Sequence, residues 1–113
     1  MAAFLIFIQE EDMRGLQGKK AIVTGGASGI GRAIALRLGN EGISVGIIDL
    51  NEEHSSEVTK EIRKSGGKAV SAQCDISEYN RVETAVSEIE NVNGPTDILV
   101  NNAGWDKATK FLN

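Results

Sequence analysis

Thr24-Gly25-Gly26-Ala27-Ser28-Gly29-Ile30-Gly31 holds the residues best suited to chemistry, and the chemistry is the holding of a phosphate. An apolar β-branched run, Ala21-Ile22-Val23, leads into it, and an amphipathic stretch leads out. Glycine permits a positive φ and lets another group approach where a Cβ would stand, so Gly25, Gly29 and Gly31 suit a turn from strand to helix. The first amides of such a helix have no partner within it. Reinforced by the positive end of the helix dipole, they face an anion.

A glycine-rich turn can also be only a tight connection, so a second feature has to decide. Asp49 closes the next expected strand, 18 residues after Gly31. That is where a nucleotide-binding βαβ unit places the acid that accepts from ribose hydroxyls. A P-loop is the competing reading, but Gly31 is followed by Arg32-Ala33. No lysine reaches for β/γ-phosphates there and no hydroxyl is set to hold magnesium.

The glycines read G-x-x-x-G-x-G, and this spacing resembles the cofactor turn of the short-chain dehydrogenase/reductase family. Asn101-Asn102-Ala103-Gly104, after a fourth apolar strand, resembles that family's second signature. Asp75-Ile76, after the third strand, resembles its adenine contact. The three motifs stand in the family's order between Gly18 and about Gly104.

The resemblance implies NAD as cofactor. Gly25, Ser28, Gly29, Ile30 and Gly31 would lie along the pyrophosphate, Asp49 and Leu50 at the adenosine ribose, and Asp75 and Ile76 at the adenine. Asn102 would lie beside the cofactor ribose, and Ala103 and Gly104, being small, would allow the cofactor to approach closely. The charge of Asp49 would repel a 2′-phosphate, and Ser28 stands where relatives preferring NADP often carry a basic residue, so NAD is expected over NADP. Asp49 as a mere cap of the following helix is the plainer alternative, and a turn-starting Asp75 is another. Trp105-Asp106 resembles members that oxidise ring-hydroxylated acyl-CoA thioesters, such as 2-hydroxycyclohexanecarboxyl-CoA dehydrogenase; 3-oxoacyl-carrier-protein reductases and sugar or polyol dehydrogenases stay open.

The elements that must position these residues alternate between strand and helix. Lys20 to Thr24 reads as the first strand, and Gly29 or Ile30 to Asn40 as a helix with Ile30, Ile34 and Leu38 on one face. Ile43 to Ile48 has the composition of a strand buried on both faces. Asn51 can cap a helix to Ser65 that buries Val58 and Ile62. Lys68 to Gln73 reads as the third strand. Ser77 can cap a helix carrying Val82, Ala85, Val86, Ile89 and Val92, which Gly94-Pro95 ends before the fourth strand, Asp97 to Val100. The fold class expected is α/β, a partial Rossmann doubly wound parallel sheet in order 3-2-1-4 that lacks the later strands. Its fourth strand would be an exposed apolar edge.

Residues 13–113 thus form the expected NAD-binding half of a dehydrogenase domain, and residues 1–12 are an extension outside the resemblance. The extension is either a start displaced upstream or a strand or short helix covering an apolar edge. Its apolar run Ala2 to Ile8 has no basic n-region and no cleavage site, and is too short to span a bilayer.

The chain has 113 residues, 41% of them hydrophobic, and 16 acidic against 12 basic residues give a net charge of −4. That composition fits one small core, and without a basic cluster it argues against nucleic acid as a partner. No membrane is expected either. The single Cys74 suits a reducing cytoplasm and reads as a small buried residue, and no Cys/His spacing suggests a metal.

The family's chemistry uses a serine and a Tyr-x-x-x-Lys pair, and neither is identified here. Tyr79 is followed four residues on by Glu83, whose charge would raise a phenol pKa. No catalytic residue is therefore assigned. The chain is expected to be the cofactor-binding portion of an enzyme that, at full length, oxidises a secondary alcohol or reduces a ketone and assembles as a homo-oligomer. The alternative is a non-catalytic nucleotide-binding or partner-binding module, with a methyltransferase-like Rossmann domain behind it.

Overall fold

The computed structural model describes residues 5–8, as backbone, and 16–102. Eight elements alternate as the hydrophobic pattern requires: β1 (Leu5–Ile8), β2 (Lys20–Thr24), α1 (Gly29–Asn40), β3 (Ser44–Asp49), α2 (Glu52–Lys64), β4 (Ala69–Gln73), α3 (Tyr79–Asn93) and β5 (Ile98–Asn101). They form one sheet in the order β1-β5-β2-β3-β4. The strands β5, β2, β3 and β4 are mutually parallel, paired Val23 with Ile47 and Val100, and Ile47 with Ser71. In chain order these four are the expected strands in the arrangement 3-2-1-4.

Alternation along each buried strand divides the core in two. Ala21, Val23, Val45, Ile47, Ile98 and Val100 point to one face with Ala35, Val58 and Ile62, under α1 and α2. Ile22, Ile48 and Leu99 point to the other, with Val82, Ala85 and Ile89 of α3. Residues from both faces of β2 and β3 are essentially inaccessible, as a parallel sheet covered by helices on both sides demands.

Helix boundaries follow local chemistry. The Asn51 side chain accepts from the His54 N–H at 2.9 Å and caps α2, whose first turn carries Glu52 and Glu53 and whose last carries Arg63 and Lys64. The helices are followed by Gly42, Gly66 and Gly94 respectively, all with φ between +85° and +94°.

Four expectations need correction. The β5 edge is covered: β1 pairs with it antiparallel, Leu5 opposite Asn101 and Ile8 opposite Ile98, so the extension contributes a strand that satisfies the edge's peptide groups. Ser77 does not cap α3; its hydroxyl and amide both bond the Asp75 carboxylate, at 2.7 and 2.9 Å, and Glu78 stands at the cap. Ile30 does not join the buried face of α1, which is Gly31, Ala35 and Gly39; the small stripe lets the helix lie close, and Ile30 is half exposed. Val92 is likewise outside the core, at 68% exposure near the end of α3.

Candidate functional site

At the carboxyl ends of the parallel strands the chain makes its three turns from strand to helix, and β2 lies there between β3 and β5. The glycine turn leaves β2 with Gly25 at φ +66° and Gly29 at φ +56°, conformations that a side chain disfavours. The Gly25 N–H donates to the Ile48 carbonyl at 2.8 Å, tying the turn to the end of β3. The first intrahelical bond of α1 runs from the Arg32 N–H to the Ser28 carbonyl, so the amides of Gly29, Ile30 and Gly31 precede it at the positive helix end. The Ser28 hydroxyl makes no capping bond and is exposed.

Gly31 is needed for space. A Cβ there would overlap the Gly25 carbonyl oxygen and stand 2.7 Å from the Asn102 Nδ2. That amide nitrogen in turn donates to the Gly25 carbonyl at 3.2 Å. The turn, the start of α1 and the end of β5 therefore meet at one carbonyl.

Thr24, the last residue of β2, is fully buried and fixes this meeting. Its hydroxyl accepts from the Asn102 N–H at 2.9 Å and lies 3.1 Å from the Asn101 Oδ1, to which it donates. The Asn102 Oδ1 is buried without a hydrogen-bond partner among the described residues. Sequence reasoning gave Thr24 no role of its own. The available signal was a hydroxyl that follows the buried apolar run Ala21-Ile22-Val23.

Asp49, at the end of β3, divides its carboxylate between two loops. Oδ2 accepts from the Ala27 N–H of the glycine turn at 3.1 Å, and Oδ1 from the Asn51 N–H at 2.8 Å. Each oxygen keeps a lone pair in reserve. The side chain thus holds the adjacent turns together while remaining able to accept further hydrogen bonds. Leu50 beside it is 63% exposed, an apolar surface next to a carboxylate.

Asp75 follows β4 at the far edge of the parallel array and has no direct bond to the glycine turn. The two hydrogen bonds from Ser77, side chain first and backbone second, hold its carboxyl below the usual aspartate pKa. Ile76, beside it, packs against the core cluster of the α3 face. Cys74 is buried, and that burial, with the Asp75 charge next in weight, pushes its thiol pKa up. A thiol so placed is protonated at neutral pH and a poor nucleophile.

The structure therefore joins the glycine turn to Asp49, through the Ala27 N–H, and to Asn102, through the Gly25 carbonyl, in one bonded cluster, with Gly31 packed against it and Ser28, Gly29 and Ile30 on its rim. Asp75 and Ile76 follow β4, two strands from the glycine turn and next to β3. Ala103, Gly104, Trp105 and Asp106 lie outside the described residues. A cleft of about 530 Å³ opens on the α1–α2 side of the glycine turn, lined by Ala27, Ser28, Gly29, Arg32, His54 and Lys60 among others. Of the expected site residues only Ser28 and Gly29 reach it. Among the described residues there is no group of three potential metal ligands, and no helix long and apolar enough to cross a membrane.

Residues 19–113 match the profile of the short chain dehydrogenase family. A short chain dehydrogenase of Pseudocercospora fijiensis is 48% identical over 89 residues, covering 79% of this chain and 29% of that protein. A 3beta-hydroxysteroid dehydrogenase of Mediterraneibacter gnavus is 40% identical over 94 residues, covering 83% and 34%. Among solved structures, a hydroxysteroid dehydrogenase from Escherichia coli superposes with a TM-score of 0.75 at 39% identity, covering 79% of this chain and 38% of that one. An actinorhodin polyketide ketoreductase solved with NADPH gives 0.72 at 42% identity, covering 76% and 33%. The chain spans about a third of the length of the relatives it matches.

Proposed function

The chain belongs to the short chain dehydrogenase family, and from that premise we propose that it is the NAD-binding portion of an oxidoreductase acting on secondary alcohols and ketones. The observation that supports this most directly is that the glycine turn after β2 is hydrogen-bonded on both flanks, through Ala27 to the Asp49 carboxylate at the end of β3 and through Gly25 to the Asn102 side chain just after β5. In an open α/β sheet that is where dinucleotides bind.

In this reading the α1 amino terminus receives the pyrophosphate through the amides of Gly29, Ile30 and Gly31. The spare lone pairs of Asp49 accept from the two adenosine ribose hydroxyls, and Leu50 packs beside the adenosine. Asp75 and Ile76 border the adenine. Asn102 faces the dinucleotide with its unpartnered Oδ1, and the small residues Ala103 and Gly104 let it approach. When bound, the nicotinamide supplies the hydride-transfer chemistry. The residues on this chain bind and orient.

NAD is preferred over NADP because a 2′-phosphate would meet the Asp49 carboxylate, whose two oxygens are already committed to backbone amides and cannot swing away without releasing both loops. The substrate of the whole enzyme is a secondary alcohol or the matching ketone. A hydroxyacyl thioester, of the kind handled by 2-hydroxycyclohexanecarboxyl-CoA dehydrogenase or 3-oxoacyl-carrier-protein reductase, is the narrower proposal and rests on Trp105-Asp106 in the sequence alone. The whole enzyme is proposed to be a cytoplasmic homo-oligomer.

Calorimetric titration tests the reading. NAD should bind saturably and at least about tenfold more tightly than NADP, and Asp49→Ala should weaken NAD by a similar factor while narrowing the difference, as the loss of a charge-assisted pair of hydrogen bonds implies. Equal binding of both dinucleotides, unchanged by the substitution, would overturn the assignment of Asp49. The chain alone should not reduce NAD with any of a panel of secondary alcohols. Turnover would move it from cofactor-binding portion to complete enzyme.

A further inference from the structure

The end of the sheet opposite the glycine turn carries a row of polar side chains that the cofactor reading does not use. Lys20 of β2 lies in register with Ser44 of β3, and Val45 pairs with Ala69, so Lys68 continues the row just before β4. Side chains alternate along a strand, and Ile22, Gly46 and Val70, each two residues further on, lie on the α3 side: Ile22 and Val70 in its core cluster, Gly46 against Ile89. Lys20, Ser44 and Lys68 therefore share that face. The carboxyl end of α3 closes it, and the Lys20 Cε stands 3.4 Å from where a Cβ on Gly94 would be.

These three residues and Asn93 line a groove of about 470 Å³. No acidic side chain is among its described lining residues, in a chain whose net charge is −4. The cleft beside the glycine turn, by contrast, mixes Arg32, His54 and Lys60 with Glu57 and Glu61. Neither Lys20 nor Lys68 forms an ion pair with a described residue. The carboxylates of Glu90 and Asp97, near this end, do not line the groove and accept from backbone amides, of Thr96 at 2.9 Å and of Lys20 at 3.0 Å. The Asn93 Nδ2 is buried with no hydrogen-bond partner among the described residues. A buried donor left unpaired is costly, so this amide gains by turning to an acceptor that enters the groove.

Two positive charges, a hydroxyl between them and a spare amide donor suit an anion with several acceptor oxygens. We propose that this groove binds a small molecule through a phosphate group, at the end of the fold away from the dinucleotide. Lys20 and Lys68 stand two strand spacings apart, about 10 Å, a gap that two flexible lysine stems close onto one anion. Their ammonium groups neutralise its charge, while the Ser44 hydroxyl and the Asn93 amide supply neutral donors. A carboxylate offers fewer oxygens to these donors than a phosphate ester does, which favours phosphate. Once occupied, the site joins the starts of β2, β3 and β4 to the end of α3. The inference rests on this groove and not on the glycine turn, so it and the NAD assignment fail separately.

Titration of the full chain with inorganic phosphate at constant ionic strength, followed residue by residue by NMR, tests it. Shifts at Lys20, Ser44, Lys68 and the Asn93 side-chain amide should saturate together. Lys20→Met and Lys68→Met should each weaken that binding at least about fivefold, as removal of one of two charges facing a dianion implies. Lys64→Met, which alters an exposed lysine of α2 outside the groove, should leave it unchanged. Shifts that do not saturate, or that Lys64→Met weakens equally, would mean diffuse surface charge and overturn the site, as would saturation confined to the glycine turn. Tighter binding of succinate than of phosphate at these residues would overturn the ligand class. Lys68 is exposed, so Lys68→Met carries the test even if Lys20→Met does not fold, and circular dichroism of each variant shows whether it has folded.

Discussion

At Gly31 a hydrogen atom stands where any other residue would put carbon against the Gly25 carbonyl. Gly31→Ala should push the start of α1 off the turn, destabilise the chain by about 1–3 kcal/mol as overpacking does, and weaken NAD binding at least about tenfold. Thermal melting and calorimetry read the two effects. The three glycines were evident from spacing alone, but their reasons differ: Gly25 and Gly29 are needed for φ, Gly31 for room. Distance in the fold separates these reasons, since the atoms crowding Gly31 include Asn102, 71 residues on. Ser77 offers a second test. Its bonds hold the Asp75 carboxyl below the ordinary aspartate range, so Asp75 favours the folded state when ionised, and that contribution is lost as pH falls through the depressed value. Ser77→Ala should bring the Asp75 pKa back up toward its usual value, read by carboxyl NMR titration, with little change in melting temperature because the group is open to water.

Among the elements, α2 is the one whose start was most legible, since Asn51 followed by Glu52-Glu53 carries both cap and dipole signals. Asn51→Ala should cost about 0.5–2 kcal/mol in denaturant unfolding, with the slope of the transition unchanged. The start of α3 was less legible. Ser77 has the residue type of a cap, yet the Asp75 carboxylate two residues earlier claims its hydroxyl, and local competition between two short polar side chains is not resolved by residue type. The outward turn of Ile30 was hidden for a related reason: helical periodicity identified an apolar row, but the close approach at Gly31, Ala35 and Gly39 decides which row faces the sheet. Of the bonded cluster, Asp49 was legible by its position at a strand end. That its carboxylate also laces the glycine turn to the β3–α2 turn was not, because both donors are backbone amides and leave no mark in residue identity.

For the molecule as a whole, the parallel order followed from alternation and the rule that such crossovers keep one hand. The fifth strand did not, because the pattern of Leu5-Ile6-Phe7-Ile8 is equally apolar as strand, as short helix or as unpaired chain, and only the unfilled β5 edge selects the first. Its three ion pairs among the described residues, Arg32–Glu61, Arg37–Glu41 and Arg81–Glu78, are all substantially exposed and belong to the class worth about 0–1 kcal/mol each. Cohesion therefore comes from the two apolar layers flanking the sheet.

Those layers enclose the chain's single sulfhydryl, and that gives the protein an internal stopwatch. Cys74 sits just past β4 at 6% exposure, protonated, with no second cysteine to confuse its chemistry. An alkylating reagent can reach it only when the end of β4 lifts from α3. Labelling at pH 8 should be at least about a hundredfold slower than in concentrated urea, and the ratio to the rate of an unhindered thiol is the equilibrium constant for that excursion. A rate close to that of a free thiol would mean that the α3 side of the sheet is open most of the time.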